Sequence, residues 1–313
     1  MRGSRSMITG MNVRPALVVL LVSVVAVFSA CDAIDTASVE EQPVAEAYLR
    51  SDAPLPAVVL SRTVPVDAGP GAQEGLEGAT VFIDRLTPGG DVAETTPYGP
   101  ADTLGYYKPE APVPTVQGGA TYRLRAELPD GATLRAETTV PTAIELVNTE
   151  NTDATFQSAD QPSFTVTRSD VKDVPAALIF TTTSLLDFDA MTEDELIDEF
   201  TPFYADAYDP DEDDIEDFKV TSSGILNEAN FEVNSDGTLT ITFPWLALAF
   251  FGENEVAVSV IDRALYDYIR TQEAQQGGLS PGEISNIVDN IDGGIGIFGS
   301  YARASTTINV RRP

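Results

Sequence analysis

The sequence predicts a mainly β protein: an N-terminal immunoglobulin-like β-sandwich followed by a second β-rich domain with short helical insertions. Three observations predict it. Short strand-like runs recur between proline and glycine punctuation. The clearest of them, Ala120–Leu128, alternates polar and apolar residues, turns at Pro129-Asp130-Gly131 and returns as Ala132–Val140, the period of two expected of a half-buried hairpin. Helical periodicity is confined to two stretches in the C-terminal half.

The elements follow in order. Residues 1–30 carry Arg2, Arg5 and Arg14, no acid, and an apolar run from Ala16 to Ala30. A basic flank followed by an apolar run of this length predicts a signal peptide, because a membrane-spanning helix needs about 20 apolar residues. The run stops at Phe28-Ser29-Ala30-Cys31. Small residues before a cysteine predict cleavage between Ala30 and Cys31 and lipidation of the Cys31 thiol, although Phe28 stands where leucine or valine is usual. Cys31 is the only cysteine, so it has no internal disulfide partner. Several acyl chains on it would anchor the body firmly to a membrane. Residues 31–43 are polar and acidic and read as a flexible tether.

For residues 44–147, strands are expected at Val44–Leu49, Ala57–Thr63, Ala79–Leu86 and in the hairpin. The five prolines of Thr95–Val116 predict a long loop. Short strands at this spacing suggest the immunoglobulin-like sandwich. Residues 148–160 read as a polar linker. In residues 161–313 strands are expected at Ser163–Thr167, Ala176–Leu186, Phe231–Val233, Thr238–Phe243, Glu255–Ile261 and Tyr301–Val310, with a turn at Asn234-Ser235-Asp236-Gly237. Thr192–Phe200 opens with Thr192 and Glu195 in capping-box spacing. Arg263–Gln275 carries Leu265, Tyr268, Ile269 and Gln272 at helical spacing and meets a stop at Gly277-Gly278.

Composition excludes whole classes of chemistry. The chain has 49 acids, 18 basic residues and no histidine. Three of the basic residues fall in residues 1–30, leaving 15 beyond them and a formal charge of −34. Such a surface repels nucleic acid and anionic lipid. The only lysines are Lys108, Lys172 and Lys219; many acids with few lysines suit a salt-rich habitat, where screening relieves self-repulsion. Without histidine there is no Ser-His-Asp or Cys-His nucleophile and no histidine zinc site. Carboxylate acid/base work and oxygen-ligand metal binding remain.

Four motifs stand out. The acidic insertion, residues 187–217, holds 15 acids and no lysine or arginine, and reads mainly as a solvated loop. Within it Asp209, Asp211 and Asp213 alternate as at the start of a calcium loop. The sixth position, however, is Asp214 rather than glycine and the twelfth is Val220 rather than glutamate, so at most weak, incidental calcium binding is expected. The aromatic run Phe243-Pro244-Trp245-Leu246 to Phe250-Phe251 reads first as core. Trp245, Phe250 and Phe251 are the candidates for ligand or partner contact at an exposed edge. The glycine-rich run Asn290–Gly299 lacks the strand-loop-helix setting of a dinucleotide site; it reads as a tight loop entering the last strand.

The Cys31 anchor is followed in order by Gly78-Ala79-Thr80-Val81, Gly119-Ala120-Thr121-Tyr122-Arg123-Leu124 leading to Val140-Pro141, Asn227-Glu228-Ala229-Asn230-Phe231, Tyr266 with Tyr268, and Asn290 through Gly299. This ordered set resembles the domain of unknown function 4249 family of lipoproteins from Bacteroidota-type bacteria. The acidic insertion and the scarcity of lysine depart from it. The resemblance implies an outer-membrane location and association with TonB-dependent transporters, and no catalytic residue. The expectation is therefore a non-enzymatic accessory or interaction lipoprotein of the cell envelope, bound to the membrane by its lipid, with no cofactor and no nucleic acid. The alternatives are a carbohydrate- or peptide-binding surface module and a carboxylate-dependent hydrolase.

Overall fold

Seventeen strands and three α-helices make up the described part of the chain, which in this computed structural model is residues 41–64, 74–169, 176–276 and 287–313. The predicted signal peptide, Cys31 and most of the predicted tether lie outside these residues, as does the stop at Gly277-Gly278. In chain order the strands are β1 (Pro43–Arg50), β2 (Val58–Arg62), β3 (Glu74–Gly75), β4 (Thr80–Leu86), β5 (Val92–Pro100), β6 (Tyr106–Pro109), β7 (Thr121–Glu127), β8 (Thr133–Thr139), β9 (Leu146–Glu150), β10 (Asp153–Thr155), β11 (Ser163–Val166), β12 (Ala177–Ser184), β13 (Val220–Ser222), β14 (Leu226–Asn227), β15 (Leu239–Thr242), β16 (Gly252–Ile261) and β17 (Ile295–Arg311). The helices are α1 (Glu193–Asp198), α2 (Pro202–Ala207) and α3 (Arg263–Gln276). None of the helices among the described residues is long and apolar enough to cross a membrane.

The protein is mainly β, as expected. The predicted hairpin forms as β7 and β8, with Gly131 at φ +88° and its N–H donating to Leu128. The capping box of α1 also forms: Thr192 Oγ1 accepts from Glu195 N, and Glu195 Oε2 accepts from Thr192 N at 2.8 Å.

The sandwich takes a different form from the expected one. One ladder runs β13-β12-β16-β17-β1-β2-β6-β5-β4-β7-β8. In its N-terminal part, one face of β1, β2, β4, β7 and β8 buries Leu49, Leu60, Ile83, Leu124 and Leu134 together with Phe298 of β17 in a single core. A ladder whose one face fills one core must curl around it. The curl closes where Arg135 and Asp292 exchange backbone hydrogen bonds of 3.0 and 2.7 Å. Two facing sheets occur in the C-terminal half instead. There β12, β16 and the end of β17 pack Phe180, Val258 and Ile308 against Phe164 and Ile241 of a separate sheet, β15-β11-β9.

Three local expectations change. Thr95–Val116 contains most of β5 and all of β6 rather than one long loop. Pro97 is tolerated because Val92–Pro97 pairs only with β4, leaving an open side for its missing N–H. Residues 148–160 hold the end of β9 and all of β10, and Glu41–Pro313 forms one compact unit. Phe231–Val233 is not a strand; only Val233 makes a bridge, to Leu239.

The last strand joins the two cores. Its first half pairs in parallel with β1, from Val44↔Ile295 to Arg50↔Tyr301, and its second half pairs with β16. The glycine-rich run serves this approach. Gly296 sits at φ +118°, and a Cβ there would lie 2.2 Å from the Ala45 carbonyl oxygen, so no other residue fits.

Candidate functional site

The C-terminal sandwich is open along one side, between the β12–β13 edge and the end of β15. Residues 244–248 turn away from β15 there: Ala247 N donates to Pro244 O at 2.9 Å and Leu248 N to Trp245 O at 3.2 Å. The opening is a cleft of 470 Å³. Phe180 forms its floor, with the rings of Phe231 and Phe243 at 5.5 and 5.6 Å. Tyr204 of α2 and Leu246 form a wall, and the Tyr204 hydroxyl donates to Leu246 O at 3.1 Å. Burial pushes that hydroxyl's pKa up. Among the described residues no aspartate, glutamate, lysine or arginine lines this cleft, although the chain is strongly acidic.

The polar groups in the cleft divide in two. Thr221 Oγ1 donates to Ala247 O at 2.6 Å, and Ser223 Oγ accepts from Phe180 N at 2.9 Å. Thr182 also lines the cleft; it is only 3 % exposed, and its hydroxyl has no hydrogen-bond partner among the described residues. A buried hydroxyl without a partner is costly and marks where a further polar group would fit. Beside the cleft Leu246 and Phe203 are more than half exposed, and the Phe203 ring lies 5.1 Å from Tyr204.

The expected contact residues are placed unequally. Trp245 is half-buried, edge-on to Phe156 at 5.4 Å. Its neighbours, not its own ring, line the cleft. Phe250 is fully buried, stacked on Phe200 at 4.5 Å, and Phe251 packs edge-on against Phe156. Neither phenylalanine offers a surface to a partner. Phe250 is covered by the acidic insertion, which is not simply a solvated loop: Phe188, Leu196, Phe200 and Ile215 turn inward onto it, forming a small core of their own, whereas Phe251 belongs to the core of the C-terminal sandwich.

The aspartates of the insertion serve its backbone. Asp209 Oδ1 accepts from Asp211 N at 3.0 Å, and Asp213 Oδ2 accepts from Asp209 N at 2.9 Å. Among the described residues no group of three or more acids is placed to hold a metal ion.

A second cleft, of 420 Å³, lies where β8, the start of α3 and residues 288–290 meet. Asp262 caps α3 by accepting from Leu265 N at 2.9 Å through Oδ1, while Oδ2 accepts from Thr138 Oγ1 at 2.5 Å. Burial raises the Asp262 pKa, and the hydrogen bonds from Thr138, Leu265 and Ser300 oppose that rise. Asp267 pairs with Arg263 and Glu137 with Arg123. Asp289 has its pKa raised, first by burial. Asn290 clips this region shut: its side chain donates to Glu137 O and Phe298 O and accepts from Phe298 N. Neither Asp262 nor Thr182 sits in a distinctive local pattern, so neither is legible in the sequence.

These features define a β-rich protein whose uncharged, aromatic cleft opens at the edge of a sandwich. The chain belongs to the family described as Domain of unknown function (DUF4249), whose model matches residues 33–307. No curated protein matches it. Among solved structures it is similar to trypsin-activated alpha-2-macroglobulin from Escherichia coli, at 14 % identity and a TM-score of 0.20. That match covers 72 % of this chain but only 15 % of the other. It is also similar to murine CEACAM1b, at 12 % identity and a TM-score of 0.17, over 88 % of this chain and all of the other.

Proposed function

We propose that this protein is a lipid-anchored component of the cell envelope, held at the outer membrane through Cys31, that works without catalysis by binding another envelope protein. The observation that carries this reading is the cleft between β13 and β15: apolar, aromatic, without charged side chains among the described residues, with exposed Leu246 in its wall and exposed Phe203 beside it. Exposed apolar surface beside such a cleft is a common mark of an interaction site. The stretch Phe28-Ser29-Ala30-Cys31 supports the anchor, and the lack of any histidine in the sequence supports a non-catalytic role. The family resemblance makes a TonB-dependent transporter the favoured partner.

The test is cross-linking in native membranes with Cys31 intact, followed by mass spectrometry. Specific recovery of a transporter barrel is the expected result. Recovery of no envelope protein above a tag-only control would overturn the reading. Labelled palmitate should enter the wild-type chain and not Cys31→Ser; equal labelling of both would remove the anchor.

A further inference from the structure

We infer that the cleft receives an extended segment of a partner polypeptide, which adds as a strand to β13, inserts an apolar side chain over Phe180, and carries lysine or arginine on its flanks. The inference rests on the reading of this protein as an interaction protein. Three observations lead to it.

The first is an open backbone edge. β13 ends the long ladder. Ser223 N donates to Phe180 O at 2.8 Å, and Ser222 is paired opposite Thr181. Hydrogen-bonding direction alternates along an antiparallel pair. Ser222, one residue from a bonded position, therefore turns its N–H and C=O away from β12, toward the open edge. An added strand would use both groups, as in other strand-addition complexes.

The second is the pocket beside that edge. Its floor of Phe180, Phe231 and Phe243 suits an apolar side chain, since alternate residues of an added strand point to one face. The Thr182 hydroxyl, 3 % exposed and without a partner among the described residues, is a buried polar group for such a segment to satisfy.

The third is charge. Among the described residues the cleft carries no charged side chain, but its wall residue Tyr204 belongs to the insertion of 15 acids without lysine or arginine. The net negative charge of that insertion attracts cationic flanks. It repels a second copy of the chain, whose formal charge is also −31, and it repels anionic lipid.

The test uses the full-length chain and three fluorescein-labelled peptides: KTFTVTK, the acidic ETFTVTE, and KTFTVTK with alternate backbone amides N-methylated. Fluorescence anisotropy should show saturable binding of the first, weakening with added salt. Binding of the other two should be about tenfold weaker, the loss expected from two or so hydrogen bonds or from reversed flank charge. Ser222→Pro and Leu246→Asn should each weaken binding of the lysine peptide. The N-methylated peptide gives the same information on the unaltered protein should either variant fold poorly. Absence of saturable binding, or equal affinity for all three peptides, overturns the inference. A chain that cross-links to an envelope protein yet binds no peptide defeats the cleft assignment and leaves the interaction reading standing. Selective peptide binding without any envelope partner in membranes supports the cleft and defeats the transporter reading.

Discussion

Thr138 Oγ1 lies 2.5 Å from Asp262 Oδ2, joining β8 to the start of α3 across 124 residues of sequence. Ser300 of β17 completes the node, 2.6 Å from Thr138 Oγ1, and its carbonyl accepts from Asp262 N at 2.9 Å. All three residues are buried. Phe298 and Ala302, on either side of Ser300 along β17, belong to the N-terminal and C-terminal cores respectively. The polar node therefore sits at the seam between two apolar cores and fixes their register.

The node makes stability depend on pH. The Asp262 pKa is raised by burial, so the folded state holds this proton more tightly than the unfolded state. Its contribution to stability is then fully present below the ordinary carboxylate value of about 3.9 and is lost as pH rises through the raised folded value. The difference in melting temperature between wild type and Asp262→Asn isolates this effect from the other acids. Wild type should lose ground to the variant as pH rises through that window. A difference that stays constant with pH would show that the carboxyl ionises without cost.

A second buried carboxylate behaves in the opposite way. Asp84 is fully buried, and burial alone would raise its pKa. Hydrogen bonds from Arg125 at 2.6 Å and Thr95 at 2.6 Å, with the arginine charge, bring it below the usual range instead. Arg125→Met strips the pair of its cation and should destabilise by about 3–5 kcal/mol at neutral pH. The loss should shrink in acid, where Asp84 is protonated in both proteins. Urea titration at two pH values reads this out, and an equal loss at both would contradict the pairing.

Salt should stabilise the whole body. At a formal charge of −31 the acids repel one another over distances that screening shortens, from a Debye length of about 10 Å at 0.1 M to about 3 Å at 1 M. The melting temperature should climb with sodium chloride. A curve that is flat or descends would mean the charges are already neutralised within the fold.

Phe250 pins the acidic insertion to the sandwich. The ring is fully buried against Phe200 and Phe188, so Phe250→Ala should destabilise by about 3–5 kcal/mol. The insertion should loosen first, and limited proteolysis should cut within residues 187–217 before the β body. Cleavage elsewhere at the same rate as in the insertion would refute this order.

Features that neighbours along the chain decide are legible in the residues alone. The β7–β8 hairpin follows from alternation around Pro129-Asp130-Gly131, α1 from the Thr192–Glu195 cap, and α3 from the spacing of Leu265, Tyr268 and Ile269. Each depends on contacts a few residues apart, which periodicity and turn chemistry encode directly. The DUF4249 resemblance, carried by an ordered set of short motifs, was also readable from the sequence.

Which of those elements meet depends on contacts between distant parts of the chain. The parallel pairing of β1 with β17 joins residues some 250 positions apart, and nothing local in either strand specifies that partner. Phe250 and Phe251 look like any exposed aromatic run until Phe188, Leu196 and Phe200 fold over Phe250. The cleft draws on β12, β13, Tyr204, Phe231, Phe243 and Leu246, from five separate segments of the chain. Its chemistry arises from burial and convergence, and these are properties of the packed body rather than of any one segment.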